Sequence, residues 1–199
     1  MNAPSSVPSS KQTPSQTVGP FFAFGLLHGG ENILTDDEAL GSRILVRGQV
    51  LDGDGAPMDD ALVEIWQADS QGIHKHPEDP RIHQADAHFR GFGRAGTANP
   101  DREYIFKTVK PGPVEWEADR VQAPHIDVRV FARGMLLHAI TRLYFSDEPS
   151  NNTDPLLASI EDPVRRQTLI ASREETSDLP AYRFDIRLQG NGETLFFEP

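Results

Sequence analysis

Two stretches of this chain alternate strictly between apolar and polar side chains, and that period of two narrows the fold more than any other feature. In residues 125–132, HIDVRVFA, the side chains of Ile126, Val128, Val130 and Ala132 share one face, and those of His125, Asp127, Arg129 and Phe131 share the other. In residues 181–188, AYRFDIRL, the side chains of Tyr182, Phe184, Ile186 and Leu188 point one way. Successive side chains of an extended strand project to opposite faces, so both segments read as strands with one face in a core. Apolar runs bounded by turn residues predict further strands at 43–51 (RILVRGQVL), 61–68 (ALVEIWQA), 103–109 (EYIFKTV) and 136–145 (LLHAITRLYF). A last strand, ETLFFE, is predicted after the turn Gln189-Gly190-Asn191-Gly192. Sixteen Gly and sixteen Pro among 199 residues exceed the roughly 12% of average usage and fit many tight turns. The expectation is an all-β, antiparallel β-sandwich.

One region breaks this pattern. Asp154-Pro155 and Asp162-Pro163 each resemble an N-cap followed by Pro at the first helical position. The run VRRQTLIASREE predicts a helix of about three turns, so a short helical excursion is expected over 154–175. Residues 69–90 are polar, hold four of the seven histidines, and read as a long loop, of a length that is usually functional or disordered. Residues 1–12 are rich in Ser and Pro and read as a flexible arm, leaving 13–199 as one domain.

Composition removes several classes of function. Nineteen basic against thirty acidic residues give a net charge of −11, which repels a nucleic-acid backbone. The longest apolar run, Phe21 to Leu27, is far short of the ~20 residues that span a membrane. There is no cysteine, which excludes disulfides, Cys zinc sites and Cys nucleophiles and fits a reducing, cytoplasmic setting. No G-x-S-x-G, Walker loop or H-E-x-x-H occurs.

What remains is a small set of candidates. His125 and Asp127 fall on one face of a strand at a spacing that suits a metal, although the polar face of a half-buried strand explains the pair more simply. His74 and His76 form a second candidate in the histidine-bearing loop, where solvation is again the plainer reading. Tyr104, Tyr144 and Tyr182 each sit inside a strand pattern and read as core residues. Arg133 stands where a strand meets a turn. It is either a surface arginine or a planar fork for a carboxylate.

Longer segments resemble a known family. Thr13-Pro14-Ser15-Gln16-Thr17 followed by Gly19-Pro20-Phe21, then LVEIWQAD (62–69), FKTVKPGPVEW (106–116), QAPHIDVRVFARG (122–134), TRLYFSDE (141–148) and YRFDIRLQGNGETLFFEP (182–199), are similar in order to the intradiol ring-cleavage dioxygenases. The resemblance runs from about residue 13 to the C-terminus. It implies a β-sandwich and a mononuclear Fe(III) held by two Tyr and two His, whose phenolate oxygens suit a ferric ion. It also implies that a catecholate chelates the iron and that O2 inserts between the hydroxyl-bearing carbons.

The ligand pattern is broken here. The positions that correspond to the four ligands hold His74, Val114, His125 and Asp127, so only His125 is of the expected type. Within the family the FARG segment and the C-terminal segment resemble the alpha-type chains, which lack iron and pair with an iron-bearing beta subunit in a higher αβ oligomer. The resemblance then implies that this chain binds no Fe(III) itself, that Thr17, Pro20 and Arg133 help wall the partner's pocket, and that the substrates are protocatechuate, a carboxylated catechol, and O2. Two other readings stand beside it: a metalloenzyme using His74, His76, His125 and Asp127 in this chain alone, and a β-sandwich binding module without catalysis.

Overall fold

The computed structural model describes residues 19–116, 119–175 and 178–198. The predicted arm at 1–12 and Thr17 lie outside them. The described chain is built chiefly from strands. β1 (Arg43–Leu51), β4 (Glu103–Val109), β10 (Ala181–Arg183) and β11 (Ile186–Arg187) form one part. β2 (Leu62–Trp66), β3 (Phe92–Gly96), β7 (His125–Phe131) and β8 (Ala139–Phe145) form the other. β9 (Ile170–Glu174) is bonded to both β8 and β10 and joins the two. Neighbours run β3–β2–β7–β8–β9–β10–β1, with β4 and β11 also bonded to β1.

Side chains from the two parts meet in one core. Ile44, Val46 and Val50 of β1 and Tyr104 and Phe106 of β4 pack in the same buried cluster as Val63 and Ile65 of β2, Ile126, Val128 and Val130 of β7, and Leu143 and Phe145 of β8. The apolar face read from the alternation of 125–132 is therefore the core face. Phe184, Tyr182 and Ile186 are buried as well, and all three tyrosines are core residues. Most pairings are antiparallel, but β1 runs parallel to β10 and β11, and β8 runs parallel to β9.

Several local expectations need correction. The helical region consists of a 3-10 turn at Pro149–Thr153, α2 (Pro155–Ser159) and α3 (Pro163–Gln167). The two Asp-Pro caps are real: Asp154 accepts from the Leu157 amide and Asp162 from the Val164 amide. The predicted three-turn helix stops at Gln167, and IASRE becomes β9 instead. Helix propensity there is weaker than the two sheet edges that β9 fills, and Leu169 and Ala171 are buried by that pairing. The segment 181–188 is interrupted at Phe184–Asp185. There the Phe184 carbonyl accepts the buried Tyr104 hydroxyl and lies against Gly48, where any side chain would collide with it. ETLFFE forms only an isolated bridge, Phe197 to Ile140, rather than a strand. β3 went unread because its sequence, FGRAG, carries two glycines and little apolar signal.

The 69–90 loop is irregular apart from a 3-10 turn at Ile82–Gln84, and it is firmly anchored. Buried Asp69 accepts from the amides of Gln71, Ile73 and Asp86. Lys75 donates to the carbonyls of Asp86, Ala87 and Phe89. Gly72 adopts φ +76°, and a side chain there would overlap the Pro113 carbonyl, so glycine lets this loop close onto the Lys110–Val114 turn.

Candidate functional site

That close approach brings residues distant in sequence to one cleft. A cavity of about 870 Å3 opens over the outer face of β3–β2–β7–β8. Trp66, Phe92, Asp127, Arg129 and Ile140 line its floor, the 74–81 loop forms one wall, and Val114 and Glu115 of β5 (Val114–Glu115), which pairs with β6 (Val121–Gln122), line another. His74, His76, Val114 and Asp127, four residues singled out from the sequence, therefore line one space. His125 lies two residues before Asp127 on the same strand face, buried and packed against Tyr144, with ring centroids 5.8 Å apart.

Their contacts oppose metal binding. The His74 ring is stacked on Trp66 at 5.9 Å, and burial lowers its pKa, against the opposing pull of Asp127 and Asp79. His125 Nδ1 donates to the Ala123 carbonyl at 2.7 Å. Burial lowers its pKa and the nearby Arg142 guanidinium lowers it further. Asp127 sits opposite Arg142 in the β7–β8 register and accepts from its Nε at 2.8 Å. Val114 offers no donor atom at all.

Arg142 was not legible as a site residue. The alternation places it on one face with Tyr144, but which residue of β7 it meets depends on register. It is mostly buried and remains charged: burial opposes the charge, but the Asp127 carboxylate and the Tyr144 side chain together outweigh it and raise the pKa. A fixed guanidinium thus stands beside the one carboxylate that a cation would need. Among the described residues, no group of three or more His, Asp or Glu side chains is arranged to hold a metal ion. The self-sufficient metalloenzyme reading through His74, His76, His125 and Asp127 is accordingly not supported by their arrangement.

The remaining candidates lie elsewhere. Arg133 follows the far end of β7 from His125, roughly 25 Å along an extended strand, and does not line the cleft. Its guanidinium pairs with Asp60 at 3.0 Å and Asp59 at 3.5 Å, and its side chain is 61% exposed. Pro20 opens α1 (Pro20–Leu26), and Phe22 of that helix packs on Phe131 of β7 at 6.1 Å.

The sequence matches the family described as Dioxygenase over residues 18–190. It is 44% identical over 198 residues to the protocatechuate 3,4-dioxygenase alpha chain of Pseudomonas putida, covering 94% of this chain and 96% of that one. The chain belongs to the intradiol dioxygenase family. It is also 31% identical to the protocatechuate 3,4-dioxygenase beta chain of Burkholderia cepacia, covering 82% of this chain and 72% of that one. The fold resembles the structure of catechol 1,2-dioxygenase from Acinetobacter sp. ADP1 inhibited by bound mercury. The TM-score is 0.62 and the identity 20%, over 84% of this chain and 60% of that one. The intradiol family is iron-dependent. Of the four positions at which the resemblance implies iron ligands, 74, 114 and 127 line one cleft and His125 is buried beside it, and the residues that fill them do not fit an iron. Among the described residues, no helix is long and apolar enough to cross a membrane.

Proposed function

We propose that this chain is the alpha-type subunit of a heteromeric protocatechuate 3,4-dioxygenase and acts only with an iron-bearing beta-type partner. The reaction opens the ring between the two hydroxyl-bearing carbons. Both atoms of O2 enter the product, 3-carboxy-cis,cis-muconate. The observation that carries this reading is the state of the four ligand positions: Val114 has no donor, and Asp127 is held by Arg142.

The chain's own contribution is to shape the partner's pocket. Arg133 presents its fork at the end of β7, where it can meet a substrate carboxylate directly or through water. Its pairing with Asp59 and Asp60 is an exposed one, worth about 0–1 kcal/mol, so the guanidinium is readily redirected. The family resemblance gives Thr17 and Pro20 the same role. Exposed Phe24, Leu136 and Leu137 supply apolar surface on α1 and just beyond Arg133 for a partner to cover. The setting is the cytoplasm.

The test is reconstitution. This chain alone takes up no oxygen in the presence of protocatechuate, and co-expression with a beta-type chain gives an active complex that co-purifies. Ring cleavage by this chain in isolation overturns the reading.

A further inference from the structure

We propose that the Asn191-Gly192 turn is a site of spontaneous covalent modification, at which the asparagine side-chain amide is lost as ammonia and the residue becomes aspartate or isoaspartate. The inference rests on this turn alone and is independent of the cleft and of any partner.

The reaction needs the backbone nitrogen of the next residue to reach the side-chain carbonyl carbon, and glycine alone leaves that nitrogen with no side chain beside it. Of the six asparagines only Asn191 precedes a glycine. Asn99 precedes Pro100, which has no N–H to react. The side-chain amides of Asn32 and Asn151 are held by the carbonyls of Ile105 at 2.9 Å and Phe145 at 2.7 Å. Two Asp-Gly pairs could close the same ring, and both are tied down. Asp52 Oδ1 accepts from the amides of Asp54 at 3.0 Å and Ala56 at 2.8 Å. The Gly55 N–H, which would have to attack Asp54, donates to the Asp52 carbonyl at 3.1 Å.

Asn191 and Gly192 carry neither restraint. Both are exposed, and among the described residues neither the Asn191 side chain nor the Gly192 N–H has a hydrogen-bond partner. The turn is closed by the Glu193 N–H, which donates to the Gly190 carbonyl at 3.1 Å and leaves both reacting groups outside that bond. Gly192 adopts φ +75°, and nothing lies within 4 Å of the place a side chain would occupy. The turn thus requires glycine at 192 for its backbone conformation, and the same glycine leaves its nitrogen open. On either side Arg187 and Thr194 pin the chain: the Arg187 amide donates to Thr194 Oγ1 at 3.0 Å, and the Thr194 amide donates to the Arg187 carbonyl at 3.0 Å. Both bonds lie outside the reacting pair, so the change needs no unfolding of the sheet.

The chemistry balances with water as the only co-reactant. The Gly192 nitrogen gives up its proton and forms a bond to Asn191 Cγ. The Cγ–Nδ2 bond breaks, ammonia leaves with the proton, and a five-membered succinimide ring remains. Water then opens the ring. Attack at the side-chain carbonyl gives aspartate, and attack at the main-chain carbonyl gives isoaspartate, with the chain continuing through Cβ and Cγ. Nothing is oxidised or reduced. A neutral amide becomes a carboxylate, so the chain, formally at −11, gains one further negative charge.

The experiment incubates the full folded chain in mildly alkaline buffer and follows its tryptic peptides by mass spectrometry. Cleavage after Arg187 yields a peptide 188–199 that holds Asn191, and cleavage after Arg142 yields a peptide 143–165 that holds Asn151 and Asn152 as an internal control. Peptide 188–199 should gain the mass of an amide turned into an acid, well ahead of 143–165. The aged chain should also accept a labelled methyl group from S-adenosylmethionine and an isoaspartyl methyltransferase, and should focus at a lower pH. Asn191→Ser, an exposed substitution that leaves circular dichroism unchanged, should abolish the mass gain and the methyl label in 188–199. No gain in 188–199, a gain no faster than in 143–165, or a gain that persists in Asn191→Ser overturns the proposal.

Discussion

Asp127 and Arg142 stand directly opposite each other on β7 and β8, and Arg142 Nε donates to Asp127 Oδ1 at 2.8 Å. The pair occupies the part of the cleft where the family resemblance implies a metal ligand. Its geometry explains why restoring ligand types alone would not restore a metal site: an imidazole at 127 would face an unpaired, mostly buried guanidinium.

Breaking this pair from one side should destabilise the fold. Asp127→Ala leaves the arginine without its carboxylate and should cost about 1–3 kcal/mol in urea unfolding. Replacing both residues with leucine should recover most of that loss, because the stranded charge is then gone. A single and a double variant of equal stability would show that the pair contributes nothing.

Stability should fall in two steps as the solution is acidified. Burial lowers the pKa of His74 and His125 below the ~6.5 of an unfolded histidine. The unfolded chain then binds more protons just below that pH, so stability is full above about 6.5 and declines as pH falls. Asp79 gives the second step. Burial alone would raise its pKa, but hydrogen bonds from Arg81 and from the His74 amide draw it down to about 2. Its contribution is present above the ~3.9 of an unfolded aspartate and is lost toward pH 2. Thermal melts across pH 2–8 should show both declines. His125→Gln should flatten the upper one and Asp79→Asn the lower one.

Asp154 supports the site from beneath. It is fully buried and accepts from the Ala123 amide at 2.8 Å, the Leu157 amide at 2.9 Å and the Tyr144 hydroxyl at 3.1 Å. Ala123 in turn receives the His125 ring. Asp154→Ala strands three buried donors, each costing about 1–3 kcal/mol, so a loss of at least ~3 kcal/mol is expected in denaturant unfolding. Tyr144→Phe removes one donor together with its need for a partner and should cost much less.

Arg133→Ala should lower kcat/KM for protocatechuate by roughly 10–100-fold in the assembled enzyme, the loss expected of a hydrogen bond to a charged group. Unsubstituted catechol lacks the carboxylate and should be affected far less. Equal losses on both substrates would place Arg133 in the interface or the fold rather than in substrate recognition.

The strands were legible where side-chain alternation was strong. Val128 and Val130 named the core face of β7, and β1 and β4 were read to their observed ends. The failures share a physical cause, which is tertiary pairing overriding local signal. Ile170–Glu174 carries a helical pattern but fills a gap between β8 and β10, and Phe92–Gly96 carries almost no pattern yet pairs along all of β2. The site shows the same division. Val114 and Asp127 stand out in the sequence as missing ligands. Arg142 acquires meaning only through register, because it faces Asp127.

The central claim is that iron belongs to the partner and not to this chain. The most direct measurement is the iron content of the purified complex set against its chain composition, repeated on this chain after separation. One iron per pair of chains, with none retained by this chain, is the predicted result. Two irons per pair, or iron retained by this chain on separation, would contradict it.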